Sequence, residues 1–170
     1  GTINGIMNSA SSFPVNVASN TISDITSGGY LYGIRQLAGN ANGTATTENN
    51  IIRNLSTSST YGGGLPSDPL RSVLTGIALS GYVPVTRGNT ISNLVATAAS
   101  DAVAVTGIFY NPMTLAGQVA ERNFIHSLDI SSTAAASMIY GIAIGTGGTP
   151  FGAPTSATLQ NNMIRLGIRG

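Results

Sequence analysis

The 170 residues contain no cysteine, no tryptophan and no lysine, and a single histidine, His126. Without cysteine there is no disulfide framework, no thiolate metal site and no thiol nucleophile. Only seven arginines and six acids carry charge, for a net charge of +1. Nucleic-acid binding needs a clustered basic surface that displaces counterions, so this balance excludes nucleic acid as a partner. No stretch approaches the ~18 to 20 continuous apolar residues of a membrane-spanning helix, so membrane insertion is not expected. Disorder is excluded as well, because disordered chains combine low hydrophobicity with high net charge, whereas here 42% of residues are hydrophobic. The chain begins at Gly1, not Met, and shows no basic head followed by an apolar run. It is expected to be a processed or excised piece of something longer.

What is present is 19 Ser, 19 Thr, 15 Asn and 22 Gly, and they are not scattered. A unit of the form Asn, any residue, Ile, two polar residues, Ile or Leu occurs as Asn20–Ile25, Asn50–Leu55, Asn89–Leu94 and Asn123–Leu128, with a shortened copy at Asn162–Leu166. The copies start 30, 39, 34 and 39 residues apart. Such spacing is too irregular for helical repeats of fixed length, yet the unit itself never stretches. Between copies sits a second unit, Leu31-Tyr32-Gly33-Ile34, Leu74-Thr75-Gly76-Ile77, Val105-Thr106-Gly107-Ile108 and Ile139-Tyr140-Gly141-Ile142. A weaker apolar patch precedes each Asn unit, as at Val15 and Val17, Val83 and Val85, Val119, and Leu159. Three short segments per repeat, rich in β-branched residues and separated by Gly, Ser, Thr and Asn, predict strands.

A solenoid keeps such motifs fixed while its turns vary, because each coil stacks about 4.8 Å above the last and insertions bulge outward. The run 61–69 reads as one such insertion. The expected fold is all-β: a right-handed parallel β-helix, a three-sided β-solenoid of about four to five coils with variable turn insertions, filling residues 1–170 as one domain. Asn20, Asn50, Asn89, Asn123 and Asn162 are expected to stack at a corner, each amide donating to and accepting from its neighbours, and Asn tolerates the left-handed conformation of a tight corner. Gly33, Gly76, Gly107 and Gly141 are expected to mark a bend or bulge. Two positions before the Asn, successive coils carry Ala18, Glu48, Arg87, Glu121 and Gln160, so Glu48, Arg87 and Glu121 form a charge ladder that would help register. On that reading Arg87→Glu lowers the melting temperature more than Arg71→Glu.

These units resemble the right-handed parallel β-helix of the pectate-lyase-like superfamily, and Gly88-Asn89-Thr90-Ile91-Ser92-Asn93-Leu94 with Thr106-Gly107-Ile108 is similar to coils of very large secreted surface proteins of Bacteroidota-type bacteria. The resemblance implies the fold; the superfamily holds lyases, hydrolases, adhesins and tailspikes, so it does not imply one activity. Lyases and hydrolases of this fold use clustered Asp residues. Here Asp24, Glu48, Asp68, Asp101, Glu121 and Asp129 are dispersed, and coil alignment places no acid over another. His126 falls in an outward row with Ser23, Arg53, Ser92 and Arg165, a surface position. The glycine runs at 62–64 and 145–148 lack the Lys of a phosphate loop. Tyr32 and Tyr140 share an outward position that could stack on sugar rings. No catalytic residue, metal ligand or cofactor site is assigned.

The expectation is therefore a structural, non-enzymatic segment of an extracellular fibre, sheath or cell-surface adhesin. Its partners would be flanking coils of the same protein or identical copies, because neither end carries a legible cap. The alternative is a carbohydrate-binding or polysaccharide-cleaving β-helix.

Overall fold

Segments of four to eight residues that alternate Ile, Leu or Val with Thr, Ser and Asn can bury one face each, and in parallel stacks they bury it against other strands. The computed structural model describes residues 1–9, 14–37, 44–60, 72–80, 83–99, 101–111, 117–145 and 156–166. The insertion at 61–69, Arg71, Tyr82, and 146–148 of the second glycine run lie outside them.

Among the described residues, fifteen strands form three parallel sheets of five. Sheet A holds the Gly-Ile units, in β1 (Thr2–Asn8), β4 (Tyr30–Leu37), β7 (Leu74–Ser80), β10 (Ala104–Asn111) and β13 (Met138–Ile144). Sheet B holds the weaker patches, in β2 (Val15–Ala18), β5 (Thr44–Glu48), β8 (Val83–Arg87), β11 (Gln118–Glu121) and β14 (Ala157–Gln160). Sheet C holds the Asn units, in β3 (Thr21–Ser27), β6 (Ile51–Thr57), β9 (Thr90–Ala96), β12 (Phe124–Ile130) and β15 (Met163–Arg165). Each coil visits A, B and C once, giving five coils of a right-handed, three-sided β-solenoid, the hand parallel crossovers prefer.

Register shows where length is allowed to vary. Sheet B pairs Ala18, Glu48, Arg87, Glu121 and Gln160 in one row, while sheet C pairs Ile22, Ile52, Ile91, Ile125 and Ile164. Both rows step by the same residue intervals, so the B-to-C corner has constant length. Sheet A steps differently, with Leu31 paired to Leu74 and Leu74 to Val105. Insertions therefore enter on either side of sheet A.

The core is a set of columns. Leu31, Leu74 and Val105, then Ile34, Ile77 and Ile108, face in from sheet A; Ile52, Ile91 and Ile125, then Leu55, Leu94 and Leu128, face in from sheet C. Sheet B departs from the sequence reading. Its buried rows are Ala45, Pro84 and Gln118, and Val17, Thr47, Thr86 and Ala120, whereas Val85 and Val119 lie on the outer side and are half-buried. The inward threonines are matched by polar partners across the narrow interior. Gln36 Nε2 donates to Thr47 Oγ1, and the Tyr110 and Thr86 hydroxyls bond to each other while Tyr110 also donates to the Val119 carbonyl at 3.1 Å. Burial pushes the Tyr110 phenol well above its ordinary pKa, so it stays a neutral donor.

Candidate functional site

The glycine column exists because of what faces it. A Cβ on Gly33, Gly76 or Gly107 would lie 2.5 to 2.6 Å from the carbonyl oxygen of the next glycine in the column and 2.7 to 2.8 Å from Cγ2 of Ile52, Ile91 or Ile125 of the same coil. On Gly141 it would meet Ile164 Cγ2 at 2.5 Å. These glycines are the sockets that receive the isoleucine knobs of sheet C. Gly5 does the same for Ile22, so all five coils share the arrangement.

The asparagine column lies at the B-to-C corner, with Asn50, Asn89 and Asn123 buried. Every Asn oxygen from coil 2 onward accepts two bonds from the preceding Asn. Asn50 Oδ1 takes them from the N–H and Nδ2 of Asn20, both at 3.0 Å, and Asn89 Oδ1 from Asn50, both at 3.0 Å. Asn123 Oδ1 and Asn162 Oδ1 repeat the pattern. The second Nδ2 hydrogen goes back to a carbonyl of the previous coil: Asn50 to Val17, Asn89 to Thr47, Asn123 to Thr86 and Asn162 to Ala120. In the three central copies both hydrogens and both lone-pair sites are used, which satisfies a buried amide completely.

The left-handed residue at this corner is the one before each Asn. Ser19, Asn49, Gly88, Arg122 and Asn161 have φ of 58°, 54°, 63°, 55° and 54°. Because no single residue type fills that row, sequence reading placed the conformation on the Asn instead. A second left-handed row, Asp24, Asn54, Asn93 and Ser127, breaks the alternation inside sheet C and accounts for the two polar residues between Ile and Leu in the motif. It carries its own outer ladder: Asn93 Nδ2 donates to Asn54 Oδ1 at 2.8 Å, and Asn54 Nδ2 to Asp24 Oδ1 at 2.9 Å. The inner ladder donates toward coil 5, the outer toward coil 1.

The charged row on sheet B is half ion pair. Arg87 Nε lies 2.7 Å from Glu48 Oε2, and Asn16 Nδ2 donates to Glu48 Oε1 at 3.2 Å. Glu121, although in register with Arg87, is held by Arg122 at 3.0 Å and by Gln160 at 2.9 Å. The Arg87 bond holds the Glu48 carboxyl below the usual carboxylate range, with Asn16 adding to it. Gln160 and Arg122 lower Glu121, and bonds from Ser23 and Asn54 lower Asp24. A general acid needs the opposite shift.

Other candidates for chemistry are already engaged. His126 lies against Phe124, ring centroids 4.4 Å apart, with Nδ1 3.0 Å from Ser127 Oγ. The Arg35 guanidinium sits 4.8 Å over the Tyr32 ring, and Tyr140 donates to the Met138 sulfur. A shallow depression is lined by Glu48, Asn49, Arg87, Gly88 and Arg122, with each arginine facing its own glutamate. Among the described residues no three His, Asp or Glu side chains cluster as metal ligands.

Among the described residues, the terminal coils leave the columns open. Strands β1 to β3 and β13 to β15 are the sheet edges. Core-column residues surface there, with Ile3 42% exposed in coil 1, and Leu159 52% and Ile164 43% in coil 5. No family profile matches the chain, and no curated protein or solved structure matches it.

Proposed function

We propose that this chain is a non-enzymatic structural segment of an extracellular fibre, sheath or cell-surface adhesin, working by stacking coil on coil. The fold is the part of its likeness to pectate-lyase-like β-helices that serves this role; its narrower likeness to secreted surface proteins supports the setting. One observation carries the reading. The inner Asn ladder is unfinished at both ends in complementary ways, with a free acceptor at Asn20 Oδ1 and free donors at Asn162 among the described residues. The depressed carboxyl pKa values of Asp24, Glu48 and Glu121 argue against a general-acid role for those groups. Incubation with a panel of acidic and neutral polysaccharides should yield no new reducing ends and no unsaturated products. Turnover of any of them would overturn the proposal in favour of a polysaccharide-cleaving β-helix, and saturable glycan binding without turnover would favour a carbohydrate-binding one.

A further inference from the structure

The outer face of sheet C is uneven, because coils 2 and 4 carry long side chains where coil 3 carries short ones. Register sets Thr90 between Ile51 and Phe124, and Ser92 between Arg53 and His126. At the corner, Gly88 lies in one left-handed row with Asn49 and Arg122. A furrow therefore runs along coil 3, with wall backbones two coil spacings apart, about 9.6 Å. At the B-to-C corner it opens into the depression lined by Glu48, Asn49, Arg87, Gly88 and Arg122. We infer that this furrow binds an extended acidic segment of a partner protein, one that presents acidic, apolar and acidic side chains at alternate positions. The site is built from coils 2 to 4 alone and is independent of what the end coils stack on.

The walls alternate in chemistry along the furrow. Arg122 stands at the corner; Ile51 and Phe124, both exposed large apolar side chains, stand two residues further along; Arg53 and His126 follow after two more. The last step is the two-residue repeat of a strand, about 6.6 Å, which is also the spacing of side chains on one face of an extended peptide. Between the walls, the half-buried hydroxyls of Thr90 and Ser92 can donate to and accept from a peptide backbone. An α-helix, about 10 to 12 Å across with its side chains, is too wide to enter.

Charge selects an acidic partner. The side chains of Arg87 and Arg122 are 43% and 63% exposed, whereas their glutamates, Glu48 and Glu121, are 18% and 19% exposed. The guanidinium groups thus face outward over carboxylates that are tucked beneath them. Each spends one nitrogen on its glutamate and has further N–H groups to offer a carboxylate. Arg53, at the other end of the furrow, is exposed. Beyond it the next outward row carries Asp129 beside Val95, which repels a further acid and limits the recognised pattern to five residues. An apolar centre rimmed by arginine is the usual composition of a protein-binding patch.

Fluorescence anisotropy with a labelled seven-residue peptide tests it, the peptide carrying glutamate at its second and sixth positions, phenylalanine at the fourth and serine elsewhere. It should bind saturably and more weakly as salt is raised, and the same peptide with lysine for both glutamates should not bind. Thr90→Trp fills the furrow at an outward strand position that accepts an aromatic, and should weaken binding at least about tenfold. Thr26→Trp, on the same face in coil 1, should leave it unchanged. R53E should weaken the acidic peptide about tenfold, yet bind a peptide with one glutamate exchanged for lysine better than wild type does, as charge reversal does across an interface. No saturable binding of the acidic peptide at millimolar concentration, or equal binding by T90W, overturns the inference and leaves the structural reading standing. Displacement of the peptide by polygalacturonate at lower concentration also overturns it, and assigns the furrow to an acidic glycan.

Discussion

Asparagine and glycine do opposite work in this molecule, one by filling a site with hydrogen bonds and the other by leaving one empty. Removing the Asn89 side chain takes away the acceptor of two Asn50 donors and the donor to both the Thr47 carbonyl and Asn123 Oδ1. Each polar group left buried without a partner costs about 1 to 3 kcal/mol. Asn89→Ala should therefore destabilise by at least about 3 kcal/mol, whereas Asn93→Ala, which loses an exposed outer-ladder bond and puts Ala in a left-handed position, should cost about 1 to 2 kcal/mol; urea unfolding of the two variants decides it. Gly76→Ala drives a methyl into the Gly107 carbonyl and Ile91, a strain of about 1 to 3 kcal/mol. Trimming Ile91 relieves only half of it, because the carbonyl is backbone. Gly28→Ala, with nothing within 4 Å, should fall within about 0.5 kcal/mol of wild type.

At the scale of the element, the B-to-C corner is the rigid part of each coil and sheet B its polar wall. The row Ala18, Glu48, Arg87, Glu121, Gln160 was legible from counting back from each Asn, but only the Glu48–Arg87 step became an ion pair. Arg122 and Gln160 claim Glu121, and a count along the chain does not reveal that a left-handed residue turns its side chain back onto the preceding glutamate. Which face of sheet B points inward was also not legible. Val85 and Val119 look like core in sequence, but Thr47 and Thr86 take the inward places because Gln36 and Tyr110 offer them hydrogen bonds. The Leu, Ile and Val columns of sheets A and C were legible, since their Asn and Gly markers never shift, but the inward row of Gln36, Leu79 and Tyr110 in sheet A and the left-handed row of Asp24, Asn54, Asn93 and Ser127 in sheet C were not. The pH response belongs to this scale. Asp24, Glu48 and Glu121 have folded-state pKa values below their unfolded ones, about 4. Their stabilisation is fully present above the unfolded values and is lost as pH falls through the folded ones. The melting temperature should hold between pH 7 and about 5 and drop below about 4, and Glu48→Gln should reduce the drop. A melting temperature that rises on acidification would contradict the assignment of these partners.

For the whole molecule, low charge and the lack of chemical groups take on a positive meaning. A stack needs identical layers, and layers tolerate few ions because like charges in one column repel along its length. Thirteen charged residues over five coils keep most columns neutral, and the polar groups that remain are spent on ladders. Such a body has a direction, set by the donors of the inner ladder, and its two faces differ in the groups they offer. The central claim is that the protein works by coil-on-coil stacking along that direction. X-ray diffraction from aligned, concentrated protein tests it most directly. The account predicts a reflection near 4.8 Å along the long axis of the assemblies, the spacing of neighbouring coils. Assemblies whose 4.8 Å reflection lies perpendicular to the long axis would contradict it.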